Sequence, residues 1–349
     1  MPYLLASLTG QKKIVSCLLL LFCFSSILPA QEQPFTRVAF YNLENIWHPE
    51  NDSLKRDDEF TPEGMRNWSF YRYHDKLSKM SKAIRSIGGW NPPDILGFAE
   101  VENRQVLEDL RNEAPLRPLN YGIVHYESPD RRGIDVCAFY RKEKVEILHS
   151  HAQRVRLPGN PNYATRDVLY LKTLSRGDTL HLIYCHWPSR YGGQKISEPK
   201  RIAAARTVRR IADSIKNFNP QAPLIIVGDL NDEWNNISIL DTLAAKPTVA
   251  EAEKSGSHLV NLMATLNENQ GTHRYQGRWG YLDQIIVSTS LLNVSTPKLS
   301  SEKAVVVRHD FLLEQDEKYP GLKPFRSFIG MRYNGGFSDH LPVYVDVVH

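Results

Sequence analysis

Leu224-Ile225-Ile226-Val227-Gly228-Asp229-Leu230-Asn231 decides the fold class of this chain. Four apolar residues in a row are too few for a helix, and three of them are β-branched. The run predicts a short strand buried on both faces, the kind found inside a sheet covered by other layers. Gly228 closes it, and an acid and an amide follow at once. A polar side chain placed where a rigid strand meets its loop is well held for binding or chemistry. Asp-x-Asn is equally the signature of a simple Asx-turn, so its meaning depends on what accompanies it.

Working outward, the preceding segment carries Ile202, Ala205, Val208, Ile211 and Ile215 at helical spacing. Before it, residues 168–174 and 180–185 read as strands around the hairpin-type turn Arg176-Gly177-Asp178. Further strands are expected at 38–41, 95–99, 135–140, 284–288, 304–307 and 342–347. Leu77, Met80, Ile84 and Ile87 mark another helix face, broken at Asn91-Pro92-Pro93. No repeat, low-complexity tract or long linker divides the chain. Strands with helices inserted, joined by both hairpins and crossovers, suit two packed sheets with helices outside. One domain over residues 31–349 is expected.

Residues 1–30 stand apart. Lys12 and Lys13 precede an apolar run over 14–28, then Pro29-Ala30 and the polar Gln31-Glu32-Gln33. That order matches a secretory signal peptide, with cleavage expected after Ala30 and a secreted or periplasmic destination. The run is short for a permanent anchor, which needs about 20 apolar residues, so no stable membrane insertion is expected. Loss of the two lysines would lower the formal charge from +4 to +2. Cys137 and Cys185 lie in apolar strand-like runs and are expected as buried free thiols. Hydrophobic residues at 42% and charged residues at 23% describe an ordinary globular protein.

Six polar clusters sit at expected strand ends: Asn42-Leu43-Glu44-Asn45, Ala99-Glu100-Val101-Glu102, His186-Trp187-Pro188-Ser189-Arg190, Gly228-Asp229-Leu230-Asn231, Leu282-Asp283-Gln284 and Ser338-Asp339-His340. Each is common by chance. As an ordered set over most of the chain, they resemble the endonuclease/exonuclease/phosphatase superfamily, which includes deoxyribonuclease I. The resemblance implies an α/β fold: a deoxyribonuclease I-like four-layer α-β-β-α sandwich of two packed mixed sheets flanked by helices, with the site at one rim.

The chemistry of a phosphoester points the same way. Its anionic phosphate resists attack, so hydrolysis calls for a cation, a base for water and donors for the transition state. Glu100 offers hard carboxylate oxygen suited to Mg²⁺ or Mn²⁺, although one glutamate alone reads equally as a solvated loop charge. Glu44 is expected to help hold the metal, and Asp339 resembles the family's final metal-proximal carboxylate. The resemblance makes Asp229 the residue that positions or deprotonates the attacking water, and Asn231 a holder of phosphate or metal-bound water. If their turn stays extended, both side chains face one cleft. Asp283 and His340 read as a carboxylate–imidazole pair. His186 matches a position that hydrogen-bonds the scissile phosphate, and Asn42 the first-strand Asn that orients the site. Histidine spacing shows no zinc motif.

For the substrate, Arg190, Arg132 and Arg166 are candidate phosphate contacts. Lys200, Arg201, Arg206, Arg209 and Arg210 read as a solvated basic helix face. The expected activity is an exported, metal-dependent phosphodiesterase or endonuclease that cleaves nucleic acid by in-line attack of water. The alternative is a phosphatase or phospholipase-type hydrolase of inositol phosphates, phosphosugars or sphingomyelin. A formal charge of +2 is not the strong basic footprint of a non-specific DNA binder. The sequence identifies no protein partner. A phosphate-binding protein without turnover is disfavoured by the intact acidic and histidine positions.

Overall fold

A computed structural model describes residues 34–267, 270–293 and 295–349. The expected signal segment lies outside the described residues. Two seven-stranded sheets dominate. The first contains β1 (Phe35–Ile46), β2 (Ile95–Val101), β3 (Tyr121–His125) and β4 (Asp135–Arg141), with the C-terminal strand Val343–Val348 beside β1. The second runs β5 (Val145–Gln153), β6 (Val168–Ser175), β7 (Asp178–His186), β8 (Leu224–Asp229), then Asp283–Ser288 and two short strands. β1 with β2, β7 with β8 and the two short strands Ala245–Lys246 and Leu259–Asn261 pair in parallel, and the other pairs are antiparallel. Both sheets are therefore mixed.

Side-chain alternation sorts these strands into layers, because successive residues of a strand point to opposite faces. Val38 and Phe40 of β1 pack with Leu180, Leu182 and Tyr184 of β7 and with Ile225 and Val227 of β8 between the sheets. The intervening Ala39 and Tyr41 face α1 (Phe70–Ser86) through Leu77, Met80 and Ile84, and α2 (Arg104–Asn112) joins the same cluster. On the far side, Ile183, Cys185, Leu224 and Ile226 face α3 (Gln194–Phe218) through Ala204, Ala205, Val208 and Ala212. Helix, sheet, sheet and helix give the expected four layers. At Gly97 the sheets approach so closely that a Cβ would stand 2.0 Å from the Tyr184 ring. Cys137 and Cys185 are both buried and free. No helix among the described residues is long and apolar enough to cross a membrane.

The expected strands are all present, most of them a residue or two longer. Besides several strands of two or three residues, the sequence reading missed two longer ones. β5 is a largely polar edge strand with several exposed residues, so it carries no apolar signal. β3 is five residues long and begins immediately after a left-handed Asn120. The buried face of α3 also differs from the one expected. Ile202, Ile211 and Ile215 are only half-buried, while Arg201 is completely buried. Its Nε lies 2.7 Å from Asp232 Oδ2, and its guanidinium also donates to Ser197 Oγ and to the Gln194 carbonyl. Arg201 thus belongs to an internal ion pair that ties α3 to the loop after β8, not to a solvated basic face.

Removing one partner of a buried pair leaves the other charge without compensation. Arg201→Met should cost about 3–5 kcal/mol, read as a lower midpoint in urea unfolding. Adding Asp232→Asn should recover part of that loss. A single variant as stable as the parent would show that the pair contributes nothing.

Candidate active site

Strand register assembles the centre. His186 of β7 stands opposite Asp229 of β8, and Asp229 stands opposite Asp283 at the start of its neighbouring strand. Three functional groups therefore lie in a row across one sheet edge. From the facing sheet, Asn42 donates through Nδ2 to Asp229 Oδ2 at 3.1 Å and to Glu100 Oε1 at 3.4 Å. The pairing of β1 with β2 is irregular between Asn42 and Ile46, and that of β2 with β4 between Ala99 and Val101. Such bulges re-aim side chains at sheet ends. Glu44, Asn45, Glu100 and Asn231 all have positive φ, four of the nine such non-glycine residues described. Backbone strain is concentrated where the site is built.

Glu100 Oε2 accepts from the Asn45 N–H at 2.9 Å, and Oε1 lies 3.6 Å from His186 Nε2. Asn103, three residues on, caps α2 by accepting from the Val106 N–H, which fixes the strand exit. The C-terminal loop closes the centre from the other side. Ser338 Oγ–H donates to the Asn42 carbonyl at 2.7 Å and accepts from the His340 N–H at 3.1 Å. His340 Nδ1 is 2.7 Å from Asp283 Oδ2, and its Nε2 is 3.8 Å from Asp229 Oδ2 and 4.0 Å from Asp339 Oδ1.

The two active-site histidines are driven in opposite directions. Burial opposes charge on His340, but Asp283 and Asp229 more than offset it and hold the imidazolium well above the ordinary histidine range. His186 is buried too, and the nearby charges of Arg166 and Arg132 add to the penalty, so its ring is held neutral. Burial raises the Asp229 carboxyl to about 7, against the pull of His340 and with the push of Asp283. A group titrating near neutrality can exchange a proton under ordinary conditions.

Asn42, Glu100, His186, Asp229, Asp283, Asp339 and His340 are thus brought together. Asn231 is placed differently from the expectation. Its backbone is left-handed, its N–H donates to Asp229 Oδ1 at 2.9 Å, and its Nδ2 donates to the Trp187 carbonyl at 3.0 Å. The turn is not extended, and Asn231 braces Asp229. The Glu44 carboxylate pairs with Arg326 and accepts from the N–H groups of Ser327 and Phe328. Of the three expected phosphate-binding arginines, two are engaged internally. Arg166 is buried between Asp130 and the Trp187 carbonyl. Arg190 donates to the Asn231 carbonyl and to Asn236, and faces Asp232 at 3.4 Å. Arg132 is half-exposed beside Asp130.

The sequence reading missed Lys76, His273 and Arg326. Lys76 is a buried residue of α1 that donates to Ser327 Oγ and the Phe337 carbonyl. The His273 ring lies tilted against His340, with centroids 4.9 Å apart, beside a bridge between their backbones. No local spacing marks either. Among the described residues, two histidine–carboxylate groups meet the geometry for a metal ion: His273, Asp339 and His340 at the site, and His125, Glu127 and Asp135 elsewhere. Sequence spacing could not join His273 to Asp339 and His340, because they lie 66 and 67 residues apart and meet through a bridge between His273 and His340.

The family profile described as Endonuclease/Exonuclease/phosphatase family matches residues 37–349. The chain belongs to this family. Its members are metal-dependent phosphoester hydrolases, and this chain is an enzyme of that class. No curated protein matches it. Among solved structures it resembles an endonuclease/exonuclease/phosphatase family protein from Bacteroides thetaiotaomicron at 18% identity and TM-score 0.56, over 91% of this chain and 96% of that one. A mannosyl-6-phosphatase from the same organism aligns at 16% identity and TM-score 0.53, over 90% and 100%. D. rerio TDP2 complexed with a single-strand DNA product aligns at 14% and 0.52, over 91% and 100%. At these identities the likeness is one of fold.

The donor set fits the divalent ion that the family requires. Glu100 presents carboxylate oxygens at the edge of the cleft, and among the described residues no Arg or Lys forms an ion pair with it. Asp283→Asn should remove the main support of the His340 imidazolium. Imidazole NMR should then show His340 titrating at lower pH than in the parent, with kcat reduced about 10²–10⁴-fold. An unchanged titration would mean that Asp283 does not set the charge of His340.

Proposed function

We propose that the chain hydrolyses small phosphoesters by in-line attack of water on phosphorus, with Asp229 as base and His340 and His186 as donors to the phosphate. The carrying observation is the internal use of Arg166 and Arg190, which leaves Arg132 as the half-exposed member of the expected phosphate-binding trio. A polyanion held along its backbone needs several free cations. A cavity of about 250 Å³ beside Asp339 and Arg326, edged by Lys318, Tyr319 and Lys323, has room for one small group. The mannosyl-6-phosphatase among the structural neighbours acts on such a substrate class.

In this mechanism Asp229 Oδ2 accepts a proton from the attacking water as its oxygen bonds to phosphorus and the opposite P–O bond breaks. The leaving oxygen takes up a proton from solvent. Neutral His186 and charged His340 donate through Nε2 to the non-bridging oxygens. Asn42 aligns Glu100 and Asp229, while Asn231 keeps Asp229 from rotating. Glu100, with Asp339 as a further carboxylate, would hold a divalent ion, Mg²⁺ or Mn²⁺, which would supply positive charge to the phosphate.

A nuclease activity is the second reading, supported by the fold shared with TDP2 bound to a DNA product. A panel of phosphosugars, inositol phosphates, bis-p-nitrophenyl phosphate and plasmid DNA with Mg²⁺ or Mn²⁺ separates the two. Phosphate release from small monoesters without nicking is expected, with loss of about 10²–10⁴-fold in Asp229→Ala and His340→Ala and abolition by EDTA. Efficient EDTA-sensitive nicking, lost in His340→Ala, would move the assignment to nucleic acid. Full activity in Glu100→Ala would refute the metal role of Glu100.

The mature chain is also proposed to work outside the cytoplasm, on the strength of the signal-like order of residues 1–30. N-terminal sequencing of protein from its native host should begin at Gln31. An intact Met1 on the functional protein would refute export by cleavage.

A further inference from the structure

β5 is the polar edge strand of the second sheet, and its middle carries His149-Ser150-His151. A strand sends residues two apart to the same face, so His-x-His does on a strand what His-x-x-x-His does on a helix. A bulge decides which face receives them. Val145 and Ile147 pack between the sheets, and regular alternation would send 149 and 151 the same way. The pairing of β5 with β6 slips between Ile147 and His149, and beyond the slip His149 stands opposite Lys172 and His151 opposite Tyr170. Tyr170 belongs to the α3 side of the sheet. Both histidines line a groove of about 440 Å³ there, with Tyr170, Thr207, Arg210 and Ser214.

The two rings converge in this groove. His151 Nδ1 lies 3.3 Å from His149 Nε2, and among the described residues this is the only hydrogen bond of either ring. Two imidazole nitrogens bound to a tetrahedral ion at about 2.0–2.1 Å stand about 3.3–3.4 Å apart. The pair therefore has the bite of a chelate before any ion arrives. One ring donates in the contact, and moving that proton to its other nitrogen frees both facing lone pairs with no net proton released. Burial and the neighbouring His149 lower His151 from the ordinary histidine range, which favours the neutral ring that binds metal.

The rest of the lining selects the kind of ion. No carboxylate lines the groove, and the Arg210 guanidinium is turned back onto the Arg206 carbonyl and Thr207 Oγ1. Mg²⁺ and Ca²⁺ bind through hard oxygen, whereas imidazole suits zinc and copper. β5 and α3 carry none of the residues gathered around Asp229.

We propose that His149 and His151 bind an exchangeable transition-metal dication, Zn²⁺ or Cu²⁺, with water completing its shell, at a site separate from the catalytic centre. Two protein ligands make it weaker than a closed four-ligand site, and the bound ion stabilises the fold as any ligand of the native state does.

Zn²⁺ titration of the purified mature chain in excess Mg²⁺ tests this by imidazole NMR. The His149 and His151 signals should shift together and saturate with one dissociation constant. His149→Gln and His151→Gln should each weaken Zn²⁺ binding at the remaining ring at least about tenfold, since even partners behind a ligand are worth that much. Phosphoester hydrolysis with Mg²⁺ should stay at the parent level in both variants. With Cu²⁺ as the probe, electron paramagnetic resonance should show nitrogen hyperfine splitting from two imidazoles. Parent signals of His149 and His151 that stay unmoved by Zn²⁺ would overturn the proposal, as would a shift of one ring without the other. Single variants, folded by circular dichroism, that keep the parent affinity would overturn it too. The parent titration needs no variant to fold.

Discussion

Asp229 Oδ2 is where the two sheets meet chemically. Asn42 reaches it from one sheet at 3.1 Å, His186 stands at 3.6 Å within its own sheet, and His340 approaches at 3.8 Å from the C-terminal loop. The carboxylate is buried, and a buried charge is tolerated only where partners surround it. The apolar packing between the sheets holds the two strand edges in place, so that Asn42 can serve a strand of the opposite sheet. Much of the site can be read as the set of groups needed to keep that one carboxylate in position.

The same burial acts on every titratable group nearby, and the neighbours decide the outcome. His340 and His186 have the same side chain and similar burial, yet Asp283 keeps the first charged while Arg166 and Arg132 help keep the second neutral. Buried Asp130 lies 3.2 Å from Arg166 and 3.4 Å from Arg132, and so holds both guanidinium groups behind the histidine. Arginines that look like substrate contacts in the sequence thus serve to set the state of a catalytic-site ring. Fewer free cations remain for a long polyanion.

Strain and support are arranged together. Bulges at the ends of β1 and β2 turn Glu44 and Glu100 out of regular register, and left-handed residues complete those turns. Each distorted turn is held by bonds that a regular strand would not offer: the Asn45 N–H on Glu100, the Asn231 N–H on Asp229, and the Ser327 and Phe328 N–H groups on Glu44. The loop bearing Arg326 is fixed from the helix side by Lys76, whose buried ammonium links residues 251 and 261 positions away in sequence.

The sequence by itself determined the layer architecture and the membership of the central cluster. Strand alternation, helix periodicity and polar residues at strand ends are local signals, visible in a few consecutive residues. That is why β8, α1 and the motifs around Asn42, Glu100, Asp229, Asp283 and His340 were legible, while polar β5 was not. Tertiary structure alone decided what each charge does. Arg201 reads as surface charge until Asp232 is found against it, and Glu44 reads as a metal ligand until Arg326, 282 residues away, is also found against its carboxylate. Asn231 reads as a cleft residue until its left-handed turn sends its amide to Trp187. Electrostatic pairing depends on distance in space and on desolvation, and neither is encoded in the spacing of residues along a chain.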